Sequence, residues 1–476
     1  MLCTVNLANN LASSGIPLVT SAPMNLYVRA TVGNDANDGL TPATALDTLA
    51  EAYSRIPYFV NHLVLIHLGA HTGNGYLVPR LQDHRLNSHI VVIGNGAGEA
   101  GAGMNVLASD TAVAGSNKLV LQVAGAPWVA DAYKGKSVLI AGSLERRTIK
   151  ENTVNTLVLC EFLSADPTGV TFDIFEPTVQ LDCVDSPTVL DIPYNGGANQ
   201  ASYSGAPAYR EEIYGLAFVQ LKLYGTAGGE HLKSRGFLLF YGVEGMWQGI
   251  NSYGLFCCGT DGQSGDVPVA WLGDVMGLDE YAWFGWGFSN GRNYYVAGEG
   301  MRGYIVDINA GWTLFRLGSE VILFGGRSQY MFVSYHLKMN RKRVVLTIYG
   351  TTDGGITNRF LAYQENPANT DPAVRLADTK AYLRRMEIRH AGSGFGIQID
   401  NYSEAYVTDI TGNTNGVAMV TRRGGFLRYV GALALTGVAG DFSEDNGTTP
   451  RLAATLVNES YFPDPVRRSI IFRSDT

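Results

Sequence analysis

Aromatic and acidic side chains are interleaved between residues 271 and 316, a segment that holds four of the six tryptophans. Aromatic rings stack on the apolar faces of pyranose rings, and their polar edges hydrogen-bond. The segment therefore predicts a carbohydrate-binding site, and the aromatic residues assigned to it are Trp283, Trp286, Tyr294, Tyr295 and Trp312.

Three carboxylates of the same segment, Asp279, Glu299 and Asp307, are candidates for catalysis. A pair of carboxylates can act as general acid and as base or nucleophile on a glycosidic bond, and their separation decides between retention and inversion. The sequence does not give that separation. Residues 284–288 alternate large side chains with glycine, which equally suits the packing of stacked strands or a contact between subunits, so both alternatives stay open.

Other catalytic motifs are absent, since no G-x-S-x-G, H-E-x-x-H or P-loop pattern occurs. Gly96, Gly98 and Gly101 match G-x-G-x-x-G. A dinucleotide site also needs a helix directly after the glycines and an acidic residue at the end of the next strand, and neither is evident. Three histidines on mixed faces of one predicted strand suit structural roles better than a metal site: His62, His67 and His71. No cofactor and no metal are predicted.

Composition points to a chain with many turns and few charges. Glycine contributes 57 of 476 residues, and charged residues make up 16%, against about 7% and about 25% in average proteins. A net charge of −8 disfavours nucleic-acid binding, which needs concentrated cations. The basic run at residues 338–343 is interpreted as a solvated turn in preference to a polyanion patch.

The cysteines and the chain start predict synthesis in a reducing cytoplasm. Five cysteines without a C-x-x-C pair suggest free thiols: Cys3, Cys160, Cys183, Cys257 and Cys258. The first 24 residues lack the basic start and apolar centre of a signal peptide. No stretch has the roughly 20 apolar residues of a membrane span, so no membrane insertion is predicted.

Residues 26–57 predict a strand, a polar turn and one amphipathic helix. The strand is Leu26, Tyr27 and Val28, and the turn contains Gly33 to Gly39. Thr41 and Pro42 are expected to open the helix, and Pro57 to end it. One helical face collects the apolar residues Leu46, Leu49, Ala50, Tyr53 and Ile56.

This segment resembles the start of the right-handed parallel β-helix in phage tailspikes and related pectate-lyase-like proteins, where a strand, G-x-D-x-x-D-G, T-P and a short helix cap the first coil. The matching residues are Gly33, Asp35, Asp38, Gly39, Thr41, Pro42 and Thr48, followed by the helix to Ile56. An ordinary β-hairpin and helix in an α+β protein is the alternative. The resemblance is more informative about fold than activity, because the family combines lyases, hydrolases, receptor binders and inert fibres.

The resemblance implies an all-β fold, a right-handed single-stranded parallel β-helix with a short N-terminal capping helix and a small inserted β subdomain. Five segments are expected: an arm at 1–24, the β-helix start with the capping helix at 25–124, the insertion at 125–182, the main β-helix at 183–440 and a cap or tail at 441–476. Gly396, Gly416 and Gly437 recur at nearly equal intervals, and these intervals match a coil of roughly 20 residues.

The resemblance also implies a bacteriophage virion protein, made in the host cytoplasm, that assembles as a homotrimer and contacts other virion proteins through residues 1–24. The predicted function is attachment to a host cell-surface polysaccharide. One alternative is structural decoration of the capsid, neck or tail without catalysis, and a second is a polysaccharide depolymerase, either glycoside hydrolase or lyase. Catalysis is considered the less favoured outcome.

Overall fold

The computed structural model describes the backbone of residues 19–30, 32–77, 85–98, 103–134, 136–143, 145–182, 188–191, 216–225, 230–235, 238–241, 243–247, 253–258, 271–273, 282–284, 292–297, 302–306, 309–316, 320–324, 326–333, 343–430, 434–438, 440–444, 461–463 and 470–474. Their regular secondary structure is nearly all β-strand. The described part contains one α-helix, α1 (Leu49–Ser54), and two short 3-10 turns, Pro42–Thr44 and Gly96–Gly98. No described helix has the length and apolar character needed to cross a membrane.

The strands up to residue 225 are β1 (Met24–Val28), β2 (Phe59–Val60), β3 (Val64–Leu68), β4 (His71–Leu77), β5 (Arg85–Leu86), β6 (Ile90–Ile93), β7 (Met104–Thr111), β8 (Val120–Gln122), β9 (Ser137–Ile140), β10 (Arg146–Asn152), β11 (Thr156–Leu159), β12 (Thr171–Pro177), β13 (Val179–Asp182), β14 (Thr188–Asp191), β15 (Leu216–Val219) and β16 (Lys222–Gly225).

The later strands are β17 (Glu230–Arg235), β18 (Leu238–Tyr241), β19 (Val243–Trp247), β20 (Tyr253–Cys258), β21 (Trp271–Gly273), β22 (Ala282–Phe284), β23 (Arg292–Ala297), β24 (Arg302–Val306), β25 (Asn309–Arg316), β26 (Glu320–Phe324), β27 (Arg327–Val333), β28 (Val344–Tyr349), β29 (Thr351–Asp353), β30 (Ile356–Asn358), β31 (Phe360–Gln364), β32 (Val374–Ala377), β33 (Thr379–His390), β34 (Ile397–Asp400), β35 (Glu404–Thr414), β36 (Val417–Thr421), β37 (Phe426–Val430), β38 (Ala434–Gly437), β39 (Gly440–Glu444), β40 (Tyr461–Pro463) and β41 (Ile470–Ser474).

Most of these strands pair in parallel and form three ladders. The first ladder runs β1, β3, β6, β15, β18, β21, β24, β26, β28, β33, β35, β37 and β41. The second runs β4, β13, β16, β19, β22, β25, β27, β31, β33, β35 and β38. The third runs β14, β17, β20, β23, β25, β27, β32, β34, β36 and β39. Long strands such as β33 bend through two ladders, so the chain visits the three ladders in turn.

The register defines the repeat of the later ladders. Lys380 pairs with Glu404, and Glu404 pairs with Phe426, so the interval between paired positions shortens slightly from one strand of the first ladder to the next. Gly416 lies above Gly394 and not above Gly396, because a Cβ atom on Gly416 would stand 2.0 Å from the Gly394 carbonyl oxygen. The two glycines predicted to be equivalent, Gly396 and Gly416, are therefore out of register.

One hydrophobic core follows the ladders. Alternate residues of each strand point inward, as the period-2 geometry of strands requires: Leu383 of β33, Val407 of β35 and Leu427 of β37 are all buried. The same cluster of buried side chains extends from Leu26 to Leu435. Because each strand buries its inner face only against its neighbours, stability comes from the stack.

The capping segment, residues 33–56, closes against the start of this core. The Asp35 carboxylate accepts hydrogen bonds of 2.9 Å from the backbone amides of Asp47 and Thr48 and from the Thr48 hydroxyl. Thr48 in turn accepts from the Glu51 amide and is the N-cap of α1. Gly33 is required because a Cβ there would lie 2.0 Å from the Leu46 carbonyl oxygen.

The predicted helix is shorter than expected. Thr41 and Pro42 open the 3-10 turn, whereas α1 begins at Leu49. Leu46, Leu49, Tyr53 and Ile56 are buried as predicted. Ala50 is exposed, and Ala52 takes the buried position, because the later helix start changes which residues face the core.

A six-stranded antiparallel sheet, β7-β12-β9-β10-β11-β8, interrupts the ladders between β6 and β13. We call residues 104–177 the insert; this sheet starts before residue 125, where the sequence placed the insertion. The insert has its own core, which includes Leu121, Ile149 and Ile174. At its base, the Glu176 carboxylate lies 2.6 Å from Lys136 Nζ and 3.1 Å from Lys222 Nζ of β16, and these ammonium groups lower the pKa of Glu176 to about 2 against its partial burial.

Candidate functional site

The insert lies against ladder residues that are far away in sequence. Lys118 Nζ is 2.8 Å from the Asp353 carboxylate of β29. The Thr351 hydroxyl donates a 2.7 Å hydrogen bond to Glu161. The side chain of Ile356, on the β29–β30 hairpin, packs against the insert core. The hairpin therefore serves as a docking point for the insert on the outer side of the ladders.

Two buried cations hold the centre of this interface. Lys150 on β10 is 5% exposed, and its Nζ donates to Asn358 Oδ1 at 3.3 Å and to the Arg359 carbonyl. Burial lowers the pKa of Lys150. Arg327 on β27 is fully buried and donates from Nη1 to the Lys150 carbonyl at 2.7 Å. Buried cations are costly to leave without acceptors, so these contacts fix the position of β10.

A cleft of about 380 Å³ lies between β10 and the second ladder. This volume is in the range of small-ligand sites, roughly 300–1,000 Å³. Glu151 of β10 provides one wall, and residues of β31, β33 and β35 provide the floor.

The floor is a column of outward residues in register. Tyr363 of β31 pairs with Arg389 of β33, and Arg389 pairs with Asn413 of β35. Parallel strands are about 4.8 Å apart, so each side chain in the column is one strand spacing from the next. Asn413 and Arg389 are exposed and present an amide and a guanidinium to the cleft. Asn415, at the rim, donates from Nδ2 to the Ala391 carbonyl.

The charged groups of the cleft are paired with one another. Arg389 Nη1 lies 2.6 Å from Glu151, and Arg389 Nε lies 2.6 Å from Glu387. Lys134 Nζ of the insert lies 2.9 Å from Glu365. These pairs leave the cleft with hydrogen-bonding groups but little uncompensated charge, which suits a polar ligand without charge better than an ion.

Tyr363 is a packed part of the floor and not an open stacking platform. Its ring lies 4.2 Å from the Arg327 guanidinium carbon and 5.3 Å from Lys134 Nζ, and the residue is 3% exposed. Burial raises the pKa of Tyr363 to about 12, although Arg327 opposes the shift. Tyr363 therefore remains protonated and fixes the two cations through its ring.

His390 stabilises the end of β33 beside the cleft. Its Nε2 lies 2.6 Å from the Asp371 carbonyl, and its Nδ1 accepts from the Gly392 amide at 3.0 Å. Nδ1 also lies 3.0 Å from the Gly392 carbonyl oxygen. Both ring nitrogens are thus used in holding the turn after β33, and His390 has a positioning role.

This arrangement can bind a polyhydroxylated ligand by hydrogen bonds. Glu151 and Glu365 are oriented as acceptors by their cations, and Asn413 offers both a donor and an acceptor. The arrangement is not that of a general acid paired with a base, because each carboxylate is held by a cation. In the part of the chain that the structure describes, no three His, Cys, Asp or Glu side chains are placed to hold a metal ion.

The residues predicted from sequence as a carbohydrate site lie elsewhere. Trp283 is on β22, Tyr294 and Tyr295 are on β23, and Trp312 is on β25. Both β22 and β23 pair with β25, so these four residues lie on neighbouring strands. Their side chains are outside the described part, as are Trp286, Asp279, Glu299 and Asp307.

The cleft is not predictable from the sequence. Its residues come from β10, β31, β33 and β35, and the paired residues Glu151 and Arg389 are 238 positions apart. No local motif marks them. The alternation of charged and apolar residues at 386–390 indicates a strand with one exposed face, but not which element lies on that face.

Comparisons with known proteins find only distant structural similarities. No family profile and no curated protein matches the chain. Similar solved structures include XylC in complex with xylose, with 8% identity over 89% of this chain and 70% of that chain and a TM-score of 0.24. They also include the Gp54 tailspike of Acinetobacter baumannii bacteriophage AP22 in complex with a capsular saccharide, with 9% identity, coverage of 94% and 73%, and a TM-score of 0.20. The tailspike gp61 of Pseudomonas phage phi297 has 10% identity, coverage of 82% and 69%, and a TM-score of 0.19. Phage tailspikes are thus among the structural neighbours, and at these TM-scores the superpositions carry no argument.

Proposed function

We propose that this chain is a virion protein of a tailed bacteriophage that attaches to a host cell-surface glycan. The observation that carries the proposal is the cleft between the insert and the second ladder, where paired charges and amides line a volume suited to a polyhydroxylated ligand. The capping segment supports the virion assignment through its resemblance to tailspikes.

For the architecture, we propose a right-handed single-stranded parallel β-helix whose three faces are the three ladders. The chain alternates regularly between the ladders, and the paired positions Lys380, Glu404 and Phe426 of the first ladder recur at similar intervals. Both features support a coil of three strands and three turns. Helix α1 is proposed as its N-terminal cap and the insert as its inserted subdomain.

For the assembly, we propose a homotrimer in the virion, with residues 1–24 in contact with other virion proteins.

The aromatic residues on β22, β23 and β25, together with Trp286, are proposed as a second contact for glycan. Trp283, Tyr294, Tyr295 and Trp312 lie on neighbouring strands, and this proximity supports the proposal.

Binding of purified protein to bacterial capsular polysaccharides and lipopolysaccharides tests the function. The variant Asn413→Ala removes an exposed amide from the cleft and is expected to weaken glycan binding about fivefold, the effect of one hydrogen bond. Thr436→Ala is the matched control, because Thr436 pairs with Asn413 on the next strand and does not line the cleft.

A particle experiment separates attachment from structural decoration. Intact particles that lack the chain are expected to lose adsorption to host cells. Normal adsorption of such particles would contradict the attachment role, and a failure of particles to assemble without the chain would favour the structural role.

A further inference from the structure

The interface between the insert and the β29–β30 hairpin places an amine against an amide. Lys150 Nζ lies 3.3 Å from Asn358 Oδ1, and both residues are buried. The amide carbon of Asn358, Cγ, is bonded to Oδ1, so it is at most one C=O bond length, about 1.2 Å, further from Nζ. Intramolecular reactions are fast when the reacting atoms are held about 3–3.5 Å apart. The two side chains are therefore close to the separation at which an amine attacks an amide.

The hydrogen bonds of Lys150 suit a neutral amine. Among the described residues, its Nζ has two acceptors, Asn358 Oδ1 and the Arg359 carbonyl. A neutral amine satisfies both acceptors with its two N–H groups and keeps a lone pair, whereas the third N–H of an ammonium would have no acceptor among these residues. The lone pair is what a nucleophile needs.

The surroundings also disfavour a charge on Lys150. Its pKa is lowered mainly by burial, and the fully buried Arg327, which donates to the Lys150 carbonyl, contributes in the same direction. Cys160, Glu151 and Glu387 oppose the shift without cancelling it. A desolvated lysine is more often neutral and is a better nucleophile than an exposed one.

Asn358 is held in one orientation beside Lys150. Its Nδ2 donates to the Cys160 carbonyl, so Oδ1 is turned toward the amine. Glu161 follows Cys160 in the chain, and burial raises the pKa of Glu161, although two hydrogen bonds to its carboxyl oppose the shift. Its charge interacts with that of Lys150, and a carboxyl with a raised pKa can hold and return a proton during a nucleophilic attack.

We propose that Lys150 and Asn358 form an intramolecular isopeptide bond that ties the insert to the β29–β30 hairpin. The Nζ lone pair attacks Asn358 Cγ, the Nζ–Cγ bond forms and the Cγ–Nδ2 bond breaks. One proton moves from Nζ to Nδ2, which leaves as ammonia, so the step needs no oxidant, reductant or co-reactant. The contacts described above are those of the pair before it reacts.

The bond would make the docking of the insert permanent. It joins residues 208 positions apart, and a cross-link that closes a long loop restricts the unfolded chain. Glu151, the residue after Lys150, forms one wall of the cleft, so the bond also fixes that wall relative to the second ladder. The proposal does not depend on what the cleft binds.

Mass spectrometry of the purified full chain tests the proposal. The wild type is expected to weigh one ammonia less than its sequence. Tryptic digestion is expected to give a branched peptide in which Lys150 is joined to Asn358 and the chain is not cleaved after Lys150. Lys150→Met and Asn358→Ala should each have the full mass of their sequences. Lys118→Met is the matched control, because Lys118 also joins the insert to the hairpin, through an ion pair with Asp353, and this variant should still lose ammonia.

Three results would overturn the proposal. The first is a wild-type chain of full sequence mass that trypsin cleaves after Lys150. The second is a loss of ammonia with Lys150 still cleaved, which indicates a succinimide at an Asn-Gly pair such as Asn415 and Gly416. The third is a loss of ammonia that persists in Lys150→Met, which assigns the reaction to another pair of residues. Glycan attachment is tested separately by the binding assay, so a failure of either proposal leaves the other standing.

Discussion

The capping segment and the cleft are both built from polar side chains, but those side chains meet over very different distances along the chain. In the capping segment, Asp35 bonds to residues 12 and 13 positions away. In the cleft, Lys134 bonds to Glu365, 231 positions away, and Arg389 to Glu151, 238 positions away. The first region is therefore set by local sequence, whereas the second exists only when the ladders bring the insert and the later strands together.

The largest expected effect is at Gly33 in the capping segment. Gly33→Ala would place a Cβ 2.0 Å from the Leu46 carbonyl oxygen, and the backbone cannot relax without breaking the cap. We expect a loss of unfolding free energy of about 3 kcal/mol, at the upper end of overpacking costs, measured by chemical denaturation. Gly125→Ala is the control, since nothing lies within 4 Å of its Cβ position, and only the cost of its positive φ, about 1 kcal/mol, is expected. Equal effects of the two substitutions would contradict the close approach at Gly33.

A smaller and more local effect is expected at the insert interface. Lys150→Met leaves Asn358 Oδ1 and the Arg359 carbonyl without their buried donor, so docking of the insert should weaken by about 1–3 kcal/mol. Amide hydrogen exchange in the insert measures this change. The same substitution at Lys118, whose pair with Asp353 is partly exposed, should cost at most about 1 kcal/mol. If the two variants exchange alike, Lys150 does not anchor the insert.

The contribution of Glu176, at the base of the insert, to the stability of the fold should depend on pH. The pKa of Glu176 is about 2 in the folded chain, against 4.5 as its ordinary value. Because the folded-state pKa is lower, the carboxylate stabilises the fold above pH 4.5, and this contribution is lost as the pH falls from 4.5 to 2. Glu176→Gln should therefore lose stability at neutral pH and show a flatter pH dependence in that window, as thermal unfolding at several pH values would reveal. An unchanged pH dependence in the variant would contradict the ion pairs with Lys136 and Lys222.

The contrast between the two regions also explains what sequence could predict. The turn residues Asp35 and Gly39 and most of the buried face of α1 follow from local spacing. The bounds of the helix were wrong at both ends, since α1 is Leu49–Ser54, and Ala50 was placed on the wrong face. The spacing of Gly396, Gly416 and Gly437 does not match the register of the ladders, in which Gly416 lies above Gly394. The sequence of the insert alternates between polar and apolar residues as strands do. Neither the insert nor the β29–β30 hairpin carries a sequence pattern that predicts their contact.

The residues of the cleft, like the docking of the insert, are not predictable from local sequence. Arg389 and Asn413 are ordinary outward residues in their own strands, and their role depends on register and on β10. The sequence predicts a carbohydrate site at residues 271–316 because its clustered tryptophans are evident from composition, and that site stays a prediction. A cleft made by side chains that are distant in sequence has no such signal. Composition identifies residues of a suitable type, but which of them are adjacent depends on the strand pairing.

The most direct test of the central claim is a crystal structure of the full chain with an oligosaccharide from the glycan that it binds. We predict sugar hydroxyls within hydrogen-bond distance of Arg389 and Asn413, between β10 of the insert and the second ladder. A bound oligosaccharide that leaves this cleft empty would contradict it.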